Sequence, residues 1–586
     1  MKDFFKMLFA AIIGCSMVLF FGTFFLFSLL GTLMSLGSAE IKTIPQNAIL
    51  RISFEKPLLE QSSVNPISRA VPFGLYRNDG IGYYDVVSAV DRAAEDSRIQ
   101  MIYLNTNFLN ADISHVEELR NAFKRFRQSG KAVIAYSDSY SQAGYYLASV
   151  ADKVFLNPNG SVGLRGFAVS TRYYKGLMDE LGIEAQVIRH GTHKSGGEQY
   201  VQLKMSDPER KQLELFLQSA WNHWAKEISE ARQVDIQTIN TIAERSGCSN
   251  GIEAKEYQLI DESFYLDEVA VYLCKLMDVK SDKQLKICDI QTYIVGKPMI
   301  RNREKIAILF ANGALYTGKG DDNIMTDNYI KTISQLRTDS TIKAVVLRID
   351  SPGGDAMAAS IIHRELKLLT EVKPLIVSMG GQATSGGYWM ASAGNQIFGS
   401  PATLTGSIGA YAITYSGQKA LNKWLKVNVE TVRTHPSSDA GSIYRPMNEQ
   451  ELATLQKEID DIYLQFVAAV SEDRGLSFEE AEAIAQGRIW SGADAITIGM
   501  IDQSGGLVDA IDYAAKVVDL SDYQIVEYPS SNTFLERLMQ TVSTSSRINK
   551  LVKDPQKWAE EVESMISNES QRGVQVKSPF IYSLQF

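Results

Sequence analysis

Residues 339–355 read Asp339-Ser340-Thr341-Ile342-Lys343-Ala344-Val345-Val346-Leu347-Arg348-Ile349-Asp350-Ser351-Pro352-Gly353-Gly354-Asp355. A short apolar run bounded by turn residues reads as a buried strand, and the Pro-Gly-Gly that follows reads as a tight turn at its C-terminal end. The same opening occurs 243 residues earlier as Asp96-Ser97-Arg98-Ile99, and Met101-Ile102-Tyr103-Leu104 then falls on Ala344-Val345-Val346-Leu347. At the same offset Gln142-Ala143-Gly144-Tyr145-Tyr146-Leu147-Ala148-Ser149 lies over Ser385-Gly386-Gly387-Tyr388-Trp389-Met390-Ala391-Ser392. Pro158, Gly163 and Gly166 keep step with Pro401, Gly406 and Gly409, and Leu259-Ile260-Asp261 answers Met500-Ile501-Asp502. A repeat this long means duplicated domains and not a solenoid.

Within the second copy, Lys305 to Phe310, Ala344 to Ile349 and Pro374 to Ser378 read as strands, and Tyr329 to Leu336, Met357 to Leu369 and Gly386 to Ala393 as helices. Strands alternating with helices at this spacing predict an α/β fold with a largely parallel sheet. Reactive groups are then expected at strand C-termini and helix N-termini, where backbone N–H groups are free. Each copy is followed by a long helical, highly charged segment, Asp207 to Ala231 and Asn448 to Asp473, which suits a surface or inter-subunit helix. The expected organisation is a membrane segment at 1–40, a first copy at 41–300, a second at 301–530 and a helical tail at 531–586. Within that tail Phe534 to Ile566 is helical in pattern, and the short apolar Pro579-Phe580-Ile581-Tyr582 suits core packing better than a membrane contact.

Composition narrows the function. With 45% hydrophobic residues, 22% charged residues and a net charge of -9, the 586-residue chain is globular and lacks the basic excess of a general nucleic-acid binder. From Met7 to Ser38 there is no charge, long enough as a helix for one membrane span. Lys2 and Lys6 keep the N-terminus cytoplasmic and send everything after Glu40 to the outer side of the cytoplasmic membrane. Gly37-Ser38-Ala39 offers a cleavage-like site and Ile12-Ile13-Gly14-Cys15 a lipoprotein-like box, but the apolar run is far longer than a signal core and favours an uncleaved anchor.

Several motifs fail on chemistry. Gly313 to Lys319 approaches a phosphate-binding loop, yet residue 320 is Gly where a hydroxyl must hold Mg²⁺, and Asp321-Asp322 would repel phosphate. The six histidines show no metal spacing, and His363 reads as a solvated helix residue. Trp221-Asn222-His223-Trp224 reads as a packing edge. Cys15, Cys248, Cys274 and Cys288 form no C-x-x-C, which excludes a disulfide scaffold but leaves room for one bridge. No cofactor and no metal is expected.

What remains is residues 376–387, Ile-Val-Ser-Met-Gly-Gly-Gln-Ala-Thr-Ser-Gly-Gly, which place Ser385 between a strand and a glycine helix start. A serine there can be approached closely and polarised by the helix dipole, although Ala383 breaks the G-x-S-x-G signature. The Ser351-Pro352-Gly353-Gly354 turn offers glycine N–H groups to a developing oxyanion. The first copy has lost both, with Gln142 in place of Ser385 and a glycine-free stretch around Phe108-Leu109 in place of the turn. It keeps a lysine instead, in Arg189-His190-Gly191-Thr192-His193-Lys194-Ser195-Gly196-Gly197-Glu198, where the second copy's Arg433 to Gly441 has none. By spacing alone such a lysine is merely solvated.

Taken together, Gly191-Thr192-His193-Lys194-Ser195, Arg348 to Gly354, Ala383 to Trp389, Thr405-Gly406-Ser407-Ile408-Gly409 and Gly487 to Ala493 resemble the long-form signal peptide peptidases of the protease IV type. The resemblance extends over nearly the whole chain. It implies tandem crotonase/Clp-protease-like domains behind a transmembrane helix, a Ser/Lys dyad, and degradation of cleaved signal peptides and similar apolar peptides. Carried over by motif, Ser385 is the nucleophile, Lys194 the general base, Gly354 and Gly386 the oxyanion donors, and Ser407 orients the lysine. His193 stands before the lysine where the family commonly has another side chain. The family also implies a homo-oligomer, a tetramer, whose dyad forms within one chain or between chains.

The chemistry of such a dyad is demanding. A lysine of ordinary pKa, ~10.4, is protonated at neutral pH and cannot accept the serine proton. Burial in an apolar site and hydrogen bonds to the neutral amine must lower it, so the site has to be dry. Two other readings compete: a crotonase-like acyl-thioester enzyme, for which no adenine- or phosphate-binding pattern is present, and a non-catalytic membrane scaffold.

Overall fold

The duplication is repeated in the strand order. The computed structural model describes residues 14, 16–17, 20–24, 44–61, 80–107, 109–296, 304–320, 323–529 and 575–577. In the first copy Glu262–Ser263, Lys153–Leu156, Ala132–Ser137, Ile99–Asn105, Ala48–Ser53 and Ile287–Asp289 lie side by side in that order, all parallel. In the second copy the corresponding order is Gln503–Ser504, Gln396–Gly399, Leu375–Thr384, Ile342–Ser351, Lys305–Asn312 and Gln524–Tyr528, again parallel. With helices between successive strands, the chain is an α/β protein of tandem copies.

One strand outgrows its expected length. The predicted strand at Pro374 to Ser378 is observed as Leu375–Thr384. Gln396–Gly399 pairs with its first half, and Leu404–Gly406 takes over beside Gln382 to Thr384. The added residues carry the backbone up to Ser385. They include Gly381, where a Cβ would lie 2.2 Å from Asp112 Oδ1 of the first copy, so only glycine admits that contact.

Alternation along the second sheet fuses the copies. Ile306, Ile308, Phe310, Ala344, Val346 and Ile376 face the first copy's core, whereas Ala307, Leu309, Val345, Leu347 and Val377 pack on the second copy's own helices. Arg348 falls on the first of these faces and is fully buried. It reaches Glu60 at 3.0 Å through two nitrogens and Glu118 at 2.8 Å, both from the first copy, while His115 lies 2.8 Å from Glu60. These partners hold the Glu60 carboxyl down at about 2 despite burial, which by itself raises it.

A third sheet crosses the boundary. Its order is Ile324–Met325, Leu315–Tyr316, Gly353–Asp355, Gln575–Lys577, Ala410–Ser416 and Glu184–His190. Glu184–His190 of the first copy pairs antiparallel with Ala410–Ser416 of the second, from His190 opposite Ala410 to Glu184 opposite Ser416.

The two long helices are observed at Asp207–Arg232 and Glu449–Arg474. Ser206 caps the first, and an Asn448/Glu451 capping box opens the second. Each buries one face. Trp224 stacks on Tyr146 with ring centroids 4.0 Å apart, in keeping with packing for the tryptophan cluster. His363 departs from expectation: it is half-buried, with Nε2 2.6 Å from Asp473, because the Glu449–Arg474 helix packs over it. Cys248, Cys274 and Cys288 are free and buried. Most of the apolar segment 7–38, Cys15, Phe108 and the tail apart from 575–577 lie outside the described residues. Among the described residues no helix is long and apolar enough to cross a membrane.

Candidate active site

Ser385 ends the long strand and begins the helix Gly386–Ser392, and the reversal is sharp. Its backbone has φ 55 and ψ −118, a conformation that costs a non-glycine residue on the order of 1–3 kcal/mol. The strain is held by two hydrogen bonds: Ser385 N–H donates to Gly406 O at 2.7 Å, and Trp389 N–H donates to Ser385 O at 2.9 Å. Gly387 has to be small, since a Cβ there would come 2.9 Å from Ser351 O. Close packing of this kind sets the Gly353–Asp355 strand against the start of the Ser385 helix, and so brings the glycine turn and Gly386 to one place. Gly354 is likewise required, because a Cβ would lie 2.2 Å from Leu315 O.

Lys194 arrives from the other copy. The strand Glu184–His190, paired to Ala410–Ser416, delivers the loop that follows it to the second copy's site. There Lys194 Nζ lies 2.8 Å from Ser385 Oγ, 2.7 Å from Ser407 O and 3.0 Å from Ser407 Oγ. Lys194, Ser385 and Ser407 are all 0% exposed. Desolvation drives the Lys194 amine well below the ordinary lysine range, and no carboxylate opposes it. A neutral amine has two N–H groups and one lone pair. Donation to the Ser407 carbonyl and hydroxyl uses both N–H groups, leaving the lone pair to accept the Ser385 O–H. The arrangement can therefore take a proton from serine within a single chain.

The surrounding loop is built to hold the lysine still. His193 N–H donates to Gln486 O at 2.9 Å, and Gln212 bridges the copies by donating to His193 O at 3.2 Å and accepting from Ile489 N–H at 3.2 Å. Arg189 Nη1 donates to Lys194 O at 3.0 Å and to Glu198 at 2.8 Å. At Gly487, φ +74, a Cβ would sit 2.6 Å from Lys194 Cα. Sequence reading quoted Gly487 to Ala493 without giving Gly487 a task, and it missed Gln212. A glycine followed by Arg-Ile-Trp was the available signal for the first; Gln212 carries none, being one polar residue in a polar helix.

A profile described as Peptidase family S49 matches residues 125–280 and again 367–521, and one described as Clp protease matches 300–401. The chain belongs to peptidase family S49. It is similar to "Protease 4" of Salmonella typhi, 33% identical over 475 residues that cover 79% of this chain and 76% of that one. "Protease 4" of Haemophilus influenzae is 30% identical over 495 residues, covering 82% and 79%. "Serine protease SPPA, chloroplastic" of Arabidopsis thaliana is 31% identical over 481 residues, covering 80% and 71%. Membership makes the chain a serine-type protease, with the S49 unit present twice and Ser385 lying in the second match.

Proposed function

We propose that the chain is a membrane-anchored endopeptidase in which Ser385 is the nucleophile and Lys194 the general base. The observation that carries this is the 2.8 Å approach of a desolvated lysine amine to the serine hydroxyl. As Ser385 Oγ attacks the scissile carbonyl, Lys194 takes its proton, and the N–H groups of Gly354 and Gly386 donate to the oxyanion. Collapse breaks the C–N bond, and the lysine returns the proton to the departing amine. A water then attacks the acyl-enzyme, giving its proton to Lys194, and as the ester C–O bond breaks the lysine passes that proton to Ser385 Oγ, releasing the acid and restoring both side chains. Ser407 keeps the amine's lone pair directed at Ser385, since its carbonyl and hydroxyl engage both N–H groups.

The substrates in this reading are cleaved signal peptides and similar apolar peptides, which suit a dry site. Residues 7–38 anchor the chain in the cytoplasmic membrane, with both copies on the outer side, and four chains assemble. Hydrolysis of a fluorogenic apolar peptide by detergent-solubilised protein tests the chemistry. The wild type should turn over, and Ser385→Ala and Lys194→Ala should be silent yet folded. A variant keeping the wild-type rate would sink the assignment. Protease protection in sealed vesicles reads the topology, and light scattering in detergent reads the tetramer.

A further inference from the structure

The third sheet holds a strand that neither copy supplies. Gln575–Lys577, from the C-terminal tail, lies antiparallel to Gly353–Asp355, with Val576 opposite Gly354, Lys577 opposite Gly353 and Gln575 opposite Asp355. On its other side Gln575 pairs antiparallel with Tyr411. The two flanking strands are those of the candidate site. Gly353–Asp355 carries the glycine turn beside the Ser385 helix, and Ala410–Ser416 is paired to the strand that delivers Lys194. Two sheet edges that enclose one strand stand roughly 10 Å apart, which is the width a guest strand needs. The tail strand thus lies along the same Gly353–Asp355 edge that a peptide approaching Ser385 would meet.

We infer that the segment around Gln575–Lys577 is a tethered competitor of substrate, filling by strand addition the slot in which an extended polypeptide reaches Ser385. The inference rests on the peptidase reading and adds two things to it. The slot recognises backbone on two edges, so it accepts an extended chain with few sequence demands. Its availability is set by how often the tail leaves, and a slot open only part of the time raises the apparent KM in inverse proportion to the open fraction without touching the chemical step.

Proline tests this in the full-length chain. Successive N–H groups of a strand point to opposite edges, so Gln575→Pro and Val576→Pro each remove a donor, one toward each neighbour. With a fluorogenic apolar peptide, at least one of the two should lower KM roughly fivefold or more while kcat holds. A second readout needs no turnover: binding of a fluorescein-labelled peptide of residues 571–582 to Ser385→Ala chains. The labelled peptide should bind at least ten times more tightly when Val576→Pro or Gln575→Pro is also present. Equal binding to all Ser385→Ala chains, together with unchanged KM in both proline variants, would overturn the inference. If every serine-bearing chain were silent towards the fluorogenic peptide while the binding difference persisted, the tail would keep its slot and the peptidase reading would fall.

Discussion

Gln142 and Ser385 occupy the same place in two copies of one fold, and the chain treats them oppositely. In the first copy the helix Gln142–Ala148 starts from Ser141 in relaxed extended backbone, φ −65. The Gln142 side chain accepts from Arg165 N–H at 2.8 Å and Gly166 N–H at 2.9 Å, and it donates to Gly166 O at 3.0 Å. In the second copy Ser385 is strained, and the counterpart of Gly166 is Gly409, where a Cβ would lie 3.1 Å from Lys194 Cδ. The space that an amide fills in one copy is filled by a lysine stem in the other. One copy thus fills its own site with satisfied hydrogen bonds and extends a lysine into the site of its sister.

The largest test of that contrast is kinetic. Ser385→Ala and Lys194→Ala should each lower kcat by roughly 10⁴-fold or more, as loss of one member of a nucleophile–base pair does. Gln142→Ser should gain nothing, and a fluorophosphonate should label Ser385 but not the new serine. Labelling at position 142 would break the comparison. The pH dependence carries a sign. Because burial lowers the Lys194 pKa, kcat/KM should rise with pH through that lowered value and then level. Between it and the ordinary lysine value the folded chain binds fewer protons than the unfolded one, so the lysine's contribution to stability also rises with pH. Lys194→Met should therefore be inactive and, near neutral pH, melt higher than the wild type.

Next in size is the clamp between the copies. Arg348→Met leaves Glu60 and Glu118 buried without their cation, a loss of about 3–5 kcal/mol in urea unfolding. If the midpoint did not move, the copies would not depend on this cluster for their docking. The Gln142→Ser chain supplies a smaller check, because it leaves the Arg165 and Gly166 N–H groups without their acceptor, at a cost of about 1–3 kcal/mol.

These residues also show where sequence stops being readable. The α/β class, the duplication and the serine turn were legible because each is local: an apolar run, a fixed offset, glycines after a strand. Lys194 was legible only through resemblance, since its meeting with Ser385 depends on Glu184–His190 pairing with Ala410–Ser416, a non-local register that periodicity does not carry. Arg348 was quoted as part of a motif, but its partners Glu60 and Glu118 lie 288 and 230 residues away. The strand at Gln575–Lys577 had no signal of its own, because three residues that pair with two distant edges are too short for a pattern.

The smallest effect separates geometry from chemistry at Ser385. Ser385→Ala and Ser385→Gly both remove the hydroxyl, so both are inactive, and neither leaves a side-chain donor at the start of the Gly386–Ser392 helix. They differ in backbone. Alanine must still adopt φ 55 with ψ −118, whereas glycine has no Cβ to object. In the unfolded chain glycine is the more flexible residue, which costs it part of the advantage. With the strain at Ser385 stored by the Gly406 and Trp389 hydrogen bonds, Ser385→Gly should be the more stable of the two by about 1 kcal/mol in urea unfolding. The matching pair at the unstrained Ser141, an ordinary helix N-cap where glycine already outranks alanine, sets the baseline, and the glycine advantage at Ser385 should exceed the one measured there. Equal stabilities of the Ser385 pair would mean that the second copy reaches its serine geometry without cost, and the contrast with Gln142 would then lie in the side chains alone.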